Sequence, residues 1–175
     1  MPELVVQVLS GHVATVAAAY DEYQRDLYSY ARVVSRDHTV AEDVTQETFL
    51  RLVREMHAGR PPDDVRAWLY AVASNLLRSR ARRQIVAERW RSFFQRSDSV
   101  ASSEDAYLGQ EQRADIERAL ASLPAEHRMA FLLAAAGFTG REVAAVIGRS
   151  EGATRSILWR SRLALRERLA SGGGG

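Results

Sequence analysis

Apolar side chains recur along most of this chain at the three- and four-residue spacing of an α-helix. No segment shows the strict alternation of apolar and polar residues that marks a half-buried strand. The periodicity therefore predicts an all-α protein. The predicted helices cover Leu4–Tyr30 as one or two segments, Thr39–Met56, a long helix from Val65, Tyr107–Leu123, Ala125–Ala136, Arg141–Ile147 and Glu151–Leu169.

Two interruptions of this periodicity divide the chain. His57–Pro62 contains a glycine and two prolines and predicts a break, after which Asp63 or Asp64 caps the next helix. From Ser92 to about 106 the apolar period gives way to Ser, Asp, Gln and Arg, a composition typical of a linker. We therefore predict two small helical domains joined by a flexible linker: residues 1–91, a linker at 92–106 and residues 107–171, followed by a glycine tail at 172–175.

The C-terminal part carries a helix-turn-helix pattern. Thr139 followed by Glu142 predicts a capping box at the start of a short helix, and Gly148 predicts its end. Ser150 then caps a second, arginine-rich helix. In a helix-turn-helix the second helix enters the major groove of DNA. The alternative at this point is an ordinary helical hairpin whose arginines form a solvated face.

Composition and charge narrow the class of protein. A chain with 46% hydrophobic and 26% charged residues is typical of a globular protein, and its net charge is only +2. The positive charge lies in two islands: residues 78–96 hold seven arginines against Glu88, and residues 149–168 hold six against two glutamates. Without cysteine, neither a disulfide framework nor a thiolate metal site is possible, so we expect no metal and no cofactor. No apolar run or leader pattern predicts membrane insertion or secretion, so we expect a cytoplasmic protein.

The outward face of the helix Thr39–Met56 has the composition of a protein interface. Steps of about 100° per residue place Ala41, Val44, Thr48, Leu52 and Met56 on its inner side. The opposite side holds Asp43, Gln46, Glu47, Leu50 and Arg54. A leucine among carboxylates and an amide resembles the anchor and rim of an interface. A solvated face with one stray leucine is the alternative reading.

The next helix combines aromatic, amide and guanidinium groups on one flank. The period places Val65, Leu69, Val72 and Leu76 inward. Trp68, Asn75 and Arg82 recur every seven residues along the flank, with Arg78 close by. Such groups can stack on unpaired bases, bond base edges and hold phosphates. Core packing of Trp68 beside solvated arginines explains the same pattern.

Three segments in this order resemble a known family. They are AEDVTQETFLRLVR (Ala41–Arg54), VRAWLYAVASNLLRSRARR (Val65–Arg83) and LASLPAEHRMAFLLAAAGFTGREVAAVIGRSEGATRSILWRSRLALRERL (Leu120–Leu169). Together they resemble the extracytoplasmic-function, or group IV, sigma factors of bacterial RNA polymerase. The resemblance covers about Tyr20 to Leu169 and implies a promoter-specificity subunit with a region 2 domain, a linker and a region 4 domain.

The resemblance also implies a role for each cluster. The core-polymerase-binding residues would be Asp43, Gln46, Glu47, Leu50 and Arg54, which dock on the clamp coiled coil of the largest subunit. The residues for the −10 promoter element would be Trp68, Asn75, Arg78, Arg82 and Arg83. Those for the −35 element would be Arg149, Ser150, Glu151, Thr154, Arg155 and Arg160. The family further implies contact of the C-terminal domain with the polymerase flap, an anti-sigma partner, and no catalytic residue or small-molecule substrate.

Several positions depart from the family pattern. Ser74 stands where arginine is often found, and Ser79 where aspartate is often found. In the second helix of the helix-turn-helix, Ile157 replaces a frequent arginine and Trp159 a frequent histidine. Each of these two apolar side chains could contact a thymine methyl group or pack against the domain core. The sequence leaves that choice open.

Two other classes of protein compete with the sigma factor. A conventional helix-turn-helix regulator that binds an operator without polymerase would account for Thr139–Arg168 but would leave the first ninety residues without a role. An enzyme is not expected, because the chain shows no phosphate-binding loop, no nucleophile–base arrangement and no carboxylate pair in a metal-site context.

Overall fold

The computed structural model describes residues 2–92 and 110–172, with side chains at 15–83 and 115–170. This part of the chain forms seven helices and no strand, so the all-α prediction is confirmed. The helices are α1 (Pro2–Ser35), α2 (His38–His57), α3 (Val65–Ser92), α4 (Gln110–Ser122), α5 (Ala125–Ala135), α6 (Gly140–Ile147) and α7 (Glu151–Gly172). Apart from their end residues, the predicted linker and glycine tail lie outside the described residues.

The ends of the helices follow side-chain capping, with one correction to the sequence prediction. The N-cap of α2 is Asp37, not Thr39: its backbone is extended (φ −138°, ψ 124°) and its Oδ1 accepts the Val40 N–H at 2.9 Å. The cap therefore lies two residues earlier than the threonine suggested. Asp64 caps α3 as expected, accepting the Ala67 N–H at 2.9 Å.

The helix-turn-helix forms as its local signals predict. Thr139 and Glu142 make a reciprocal capping box, and their hydrogen bonds lower the pKa of the Glu142 carboxyl. Gly148 ends α6 in the left-handed conformation, at φ +67°. The hydroxyl of Ser150 then accepts the Ala153 N–H at 3.3 Å at the start of α7. A non-glycine residue at the turn would adopt this conformation only with strain.

Helices α1, α2 and α3 pack into the N-terminal part of the core. The inner side of α2 buries the stripe that its periodicity predicted: Ala41, Val44, Thr48, Leu52 and Met56. Between α1 and α3, the hydroxyl groups of Tyr30 and Ser74 share a buried hydrogen bond of 2.6 Å. Ser74, a departure from the family pattern, is therefore an internal residue whose polar group is satisfied by Tyr30.

The buried stripe of α3 differs from the prediction. Leu69 is fully buried as expected, but Val65, Val72 and Leu76 are only half-buried. Among the side chains of α3 that the structure describes, the other buried apolar residues are Tyr70, Ala73 and Leu77. The reason is tertiary, because α3 packs against α1 and α2 and also against α6. Helices on two sides of α3 bury a wider part of its surface than the single apolar stripe that the periodicity predicted.

Helices α4 to α7 form the C-terminal part, which contains a buried arginine. Arg128 on α5 is only 5% exposed, and its Nη1 donates to the carbonyls of Leu120 and Ala121 at 3.4 and 3.3 Å. Burial lowers the pKa of this guanidinium. The side chain thus supplies donors to the C-terminal carbonyls of α4, which lack partners within the helix.

The two parts share one continuous apolar core. Buried residues of α3, including Tyr70 and Leu77, belong to the same cluster as Phe138, Val146 and Ile147 of the C-terminal part. Tyr30, Tyr70 and Phe138 form a chain of edge-to-face contacts, with ring centroids 5.2 and 5.1 Å apart. The predicted domains are therefore in direct contact in this conformation.

Gly148→Ala should lower the free energy of unfolding by about 1–2 kcal/mol. The alanine would keep φ near +67°, and its Cβ would meet Nη1 of Arg78 at 3.2 Å. Urea denaturation followed by circular dichroism measures the change. Gly152→Ala is the matched control, because it lies inside α7 with no atom within 4 Å of the added carbon and should be neutral or slightly stabilising. Equal unfolding midpoints for the two variants would contradict the strain argument.

Candidate protein and nucleic-acid interfaces

The outward face of α2 borders an apolar groove. Asp43, Gln46, Leu50 and Arg54 are exposed and Glu47 is half-buried, so the structure brings the predicted protein-binding residues to one face. Leu50, at 52% exposed, lies on the rim of a groove of about 570 Å³ between α1 and α2. The groove is lined mainly by apolar side chains: Val16, Ala17, Tyr20, Phe49, Leu50, Val53 and Met56.

Helix α1 supplies four of the ten residues that line this groove, a contribution that the periodicity of the sequence did not predict. Tyr20 is 47% exposed, and its ring lies edge-to-face on Phe49 with centroids 4.9 Å apart. Periodicity placed both residues on helices, but it could not show which faces of the two helices meet. Leu50 is therefore part of a continuous apolar surface and not a stray leucine.

The carboxylates of this face are paired. Glu47 accepts hydrogen bonds from Arg51 at 2.8 Å and from Arg54 at 3.5 Å, and the Arg51 bond is the main cause of its lowered pKa. Oδ2 of Asp43 accepts hydrogen bonds from both terminal nitrogens of Arg80, each at 3.1 Å. Asp43 thus connects α2 to α3 while remaining at the surface, so a substitution there would also affect the packing of the two helices.

On α3, the predicted DNA-binding residues divide between the surface and an internal contact. Asn75, Arg82 and Arg83 are exposed, whereas Trp68 and Arg78 are half-buried. Trp68 packs against the edge of the core cluster. The indole therefore contacts the core, as the packing alternative expects, and keeps an accessible edge beside the exposed amide and arginines; its contact with a base stays a prediction.

Arg78 reaches into the C-terminal part of the molecule. Its Nη1 donates to the Ile147 carbonyl at 2.5 Å and its Nη2 to the Val146 carbonyl at 2.8 Å, at the end of α6. The same guanidinium bonds Oδ1 of Asn75. Arg78 is thus a C-terminal cap of α6, since cations are stabilised by the negative end of a helix.

Arg66 makes a second contact of this kind, although no motif in the sequence marks it. Its guanidinium donates to the Ala136 carbonyl at the end of α5 and lies 4.4 Å from the centre of the Phe138 ring. No local signal predicts this contact, because the arginine and its partners are about seventy residues apart. It depends entirely on the packing of α3 against the C-terminal part.

The helix-turn-helix exposes most of its predicted DNA-binding residues. Ser150, Glu151, Arg155 and Arg160 are at the surface. Arg149 is also exposed but forms a bidentate pair with Glu126 of α5, at 2.6 and 3.2 Å. The hydrogen bond from Arg149 holds the pKa of Glu126 below its usual range.

Thr154 is a correction to the predicted DNA-binding set. Its side chain is 1% exposed, and its hydroxyl donates to the Ser150 carbonyl at 3.0 Å. A buried side chain whose hydroxyl is bonded within its own helix cannot reach a base or a phosphate in this conformation. Thr154 therefore belongs to the domain core.

The positions of the two apolar departures in α7 show which of them packs against the domain core. Ile157 is 8% exposed and lies in the core cluster, whereas Trp159 is 63% exposed. Ile157 therefore packs against the domain, and Trp159 projects from the outer face of the second helix.

Metal-ligand clusters and membrane-spanning helices are both absent from the described part of the chain. Residues 15–83 and 115–170 contain no group of three or more His, Asp or Glu side chains arranged to hold a metal ion. None of the helices that the structure describes is long and apolar enough to cross a membrane.

Family models match both parts of the chain. The model described as Sigma-70 region 2 matches residues 19–85, and the one described as Sigma-70, region 4 matches residues 113–165. The first match contains the outward face of α2 and the flank of α3 up to Arg83. The second match contains α6, the turn that follows it, and α7 as far as residue 165, which includes Arg155 and Arg160.

Curated relatives are similar over most of the chain. The ECF RNA polymerase sigma factor SigL of Mycobacterium tuberculosis is 32% identical over 164 residues, which cover 90% of this chain and 90% of SigL. The ECF RNA polymerase sigma factor SigE of Mycolicibacterium smegmatis is 32% identical over 160 residues, or 87% of this chain. The chain spans only 62% of the length of SigE.

Solved structures share the fold. The sigma factor RpoE of Bartonella quintana, in complex with the anti-sigma factor NepR, aligns with a TM-score of 0.69 and 25% identity over 88% of this chain and 96% of that one. CnrH, in complex with the cytosolic domain of CnrY, aligns with a TM-score of 0.66 and 24% identity over 96% of each chain. At 24% identity, the similarity to CnrH shows a shared fold only.

Proposed function

Because the chain belongs to the ECF sigma factors of bacterial RNA polymerase, we propose that it binds core polymerase and directs promoter recognition, DNA melting and transcription initiation. The observation that carries the proposal is the presence, on one chain, of the region 2 match with its apolar groove and of the region 4 match with its exposed helix. A regulator that acts without polymerase would have no use for the groove.

Binding to core polymerase is assigned to the face of α2. Leu50 and the groove beside it offer apolar surface, and Gln46 and Arg54 offer polar contacts around it. Interfaces of this composition derive most of their affinity from a buried apolar anchor surrounded by a polar rim. We propose that this face docks on the clamp coiled coil of the largest subunit.

Recognition and opening of the −10 element are assigned to α3. Unstacking a base costs on the order of a few kcal/mol, which a protein without ATP must offset by stacking and hydrogen bonding. The accessible edge of Trp68 and the amide of Asn75 provide those contacts, and Arg82 and Arg83 provide phosphate contacts. Arg78 becomes available once it leaves the end of α6.

Recognition of the −35 element is assigned to the helix-turn-helix, with α7 in the major groove. The exposed candidates are Arg149, Ser150, Glu151, Arg155 and Arg160. Phosphate contacts position the helix on the DNA, and base contacts provide sequence specificity. The N-terminus of α7 adds a partial positive charge that favours a nearby phosphate.

The proposal extends to partners and place of action. The C-terminal part would also contact the polymerase flap. An anti-sigma factor is proposed as a further partner, because the similar RpoE of Bartonella quintana forms a complex with one. Since polymerase works on chromosomal DNA, the protein would act in the cytoplasm. Nucleotide polymerisation belongs to the core enzyme, so no bond chemistry is assigned to this chain.

Reconstitution with core polymerase tests the function. The purified chain is mixed with bacterial core RNA polymerase, co-elution is followed on a sizing column, and transcription is run on a promoter library with core alone as the control. Co-elution together with new, sequence-selective start sites is the expected result. Tight binding of duplex DNA by the chain alone, without binding to core, would replace the proposal by an operator-binding regulator.

Leu50→Ala should weaken binding to a polymerase fragment that contains the clamp coiled coil by about tenfold, or ~1.4 kcal/mol. Because Leu50 is half exposed, the melting temperature should stay nearly unchanged. Titration by fluorescence anisotropy measures the affinity. Ile116→Ala is the matched control, since Ile116 is 50% exposed on α4, away from the groove. Equal affinities for the two variants would remove this face from the polymerase interface.

Arg155→Ala should reduce promoter binding by the holoenzyme about tenfold at physiological salt. If Arg155 contacts a phosphate, the loss should shrink as the salt concentration falls; if it contacts a base, the loss should persist. Filter binding over a salt series separates the two. Arg168→Ala is the control, because at about 100° per residue that exposed side chain lies roughly 140° around α7 from Arg155. Unchanged binding of the Arg155 variant at every salt concentration would exclude both roles.

A further inference from the structure

The outer face of α7 presents an apolar side chain between arginines. Trp159 is 63% exposed, a large value for an indole. Towards the N-terminus, the strip of this face between the positions of Arg155 and Arg160 carries only the small residues Ser156 and Gly152. Arg155 and Arg160 are exposed on either side of it. The helix can therefore approach a surface closely, with the indole as the first large apolar group to meet it.

We propose that the indole of Trp159 contacts a thymine methyl group in the −35 element and so contributes to promoter specificity, an inference that rests on the proposed function. The N-terminal half of a recognition helix contacts base edges in the major groove. The thymine methyl is the apolar group that this groove displays. Burying it against an indole is favourable, and no cytosine can supply the same contact.

The arginines around Trp159 favour DNA over a protein as its partner. Arg155, Arg162 and Arg166 are exposed towards one edge of the outer face, and Arg160 towards the other. Guanidinium groups on both sides of an apolar ridge can contact the phosphates on both sides of a groove. A protein partner would need acidic residues along two rims. Trp159 is also held in place, since Ile157 and Leu158 anchor the same turn in the core.

Replacement of single thymines by deoxyuridine tests this contact, because it removes only the 5-methyl group. In the −35 element of the promoter found by transcription, wild-type holoenzyme should bind about fourfold more weakly at one deoxyuridine position, the effect of one buried methyl group. Trp159→Ala should bind the unmodified promoter more weakly and should be insensitive to deoxyuridine at that position.

Leu163→Ala is the matched control, because Leu163 is 40% exposed one turn further along α7. This variant should keep the sensitivity of the wild type. The inference is overturned if no position is sensitive in the wild type, or if Trp159→Ala keeps the same sensitivity. It is also overturned if Trp159→Ala leaves binding of the unmodified promoter unchanged. Absence of any selective initiation would instead reject the proposed function.

A second inference rests on the contact between α3 and the ends of α5 and α6. Arg66 caps α5 at Ala136, and Arg78 caps α6 at Val146 and Ile147. Between these two polar contacts the apolar surfaces are continuous in one cluster. The contact therefore has a buried centre with an arginine at each end.

From this geometry we infer that the contact is autoinhibitory: it holds the chain in a closed state in which α3 cannot present Arg78 to DNA. Both terminal nitrogens of Arg78 are engaged, by the carbonyls at the end of α6 and by Asn75. The amide of Asn75 is bonded to the same guanidinium. Arg78, one of the proposed −10 contacts, is therefore occupied until α6 moves away from α3.

Arg66→Gln separates closure from DNA contact, because Arg66 caps α5 but is not among the proposed DNA-binding residues. The chain contains no cysteine, so dyes can be attached at Ser29→Cys on α1 and Arg141→Cys on α6, both exposed. Energy transfer between the dyes should be high in the free full-length chain and should fall when core polymerase binds. Arg66→Gln should lower it in the free chain without polymerase.

The same variant should bind a random-sequence single-stranded oligonucleotide at least threefold more tightly, because apparent affinity rises with the fraction of open molecules. Arg25→Gln, which removes the same charge at an exposed position of α1, should change neither readout. Energy transfer unchanged by Arg66→Gln would overturn the inference. So would lower energy transfer without tighter oligonucleotide binding, since the contact would then close the chain without inhibiting it.

Discussion

The packing of α3 on two sides is the constraint on which the rest of the structure depends. One side of this helix completes the core with α1 and α2, and its edge receives α6 and the segment that contains Phe138. The rings of Tyr30, Tyr70 and Phe138 carry the contact through the middle of the molecule. Because Tyr30 is buried, its pKa is raised and its hydroxyl needs a partner, which Ser74 supplies. A long arginine at position 74 would not fit this buried site without moving α1 away from α3.

Local signals in the sequence were sufficient for most of the secondary structure. The capping box at Thr139, the left-handed glycine at 148 and the aspartate cap of α3 all act over three or four residues, so they are independent of the tertiary fold. The stripe of α2 was also predicted correctly, because that helix is buried on one side only. The stripe of α3 was not, since a helix with partners on two sides buries a wider arc than one period describes.

Tertiary contacts account for the parts of the candidate sites that the sequence did not predict. The packing of α7 on α5 and α6 decides that Thr154 and Ile157 are buried and that Trp159 is exposed. In the sequence, the apolar period of α7 is hard to recognise because arginines occur on several sides of the helix. The groove beside Leu50 needs α1 as well as α2, and the cap supplied by Arg66 joins residues seventy positions apart. Neither can be found by examining one helix at a time.

The charge of Arg78 and of its two possible partners explains how one chain can alternate between a closed state and a DNA-bound state. The chain has arginine and no lysine. The planar guanidinium can donate two hydrogen bonds either to the carbonyls at a helix terminus or to the oxygens of a phosphate. The two partners differ in charge: a helix end carries about half an elementary charge, whereas a phosphate carries a full one. Arg78 therefore gains electrostatically by exchanging α6 for DNA, but the exchange exposes the apolar surfaces of α3 and the C-terminal part. The closed state persists when the cost of that exposure is larger, and a partner that binds either surface reverses the balance.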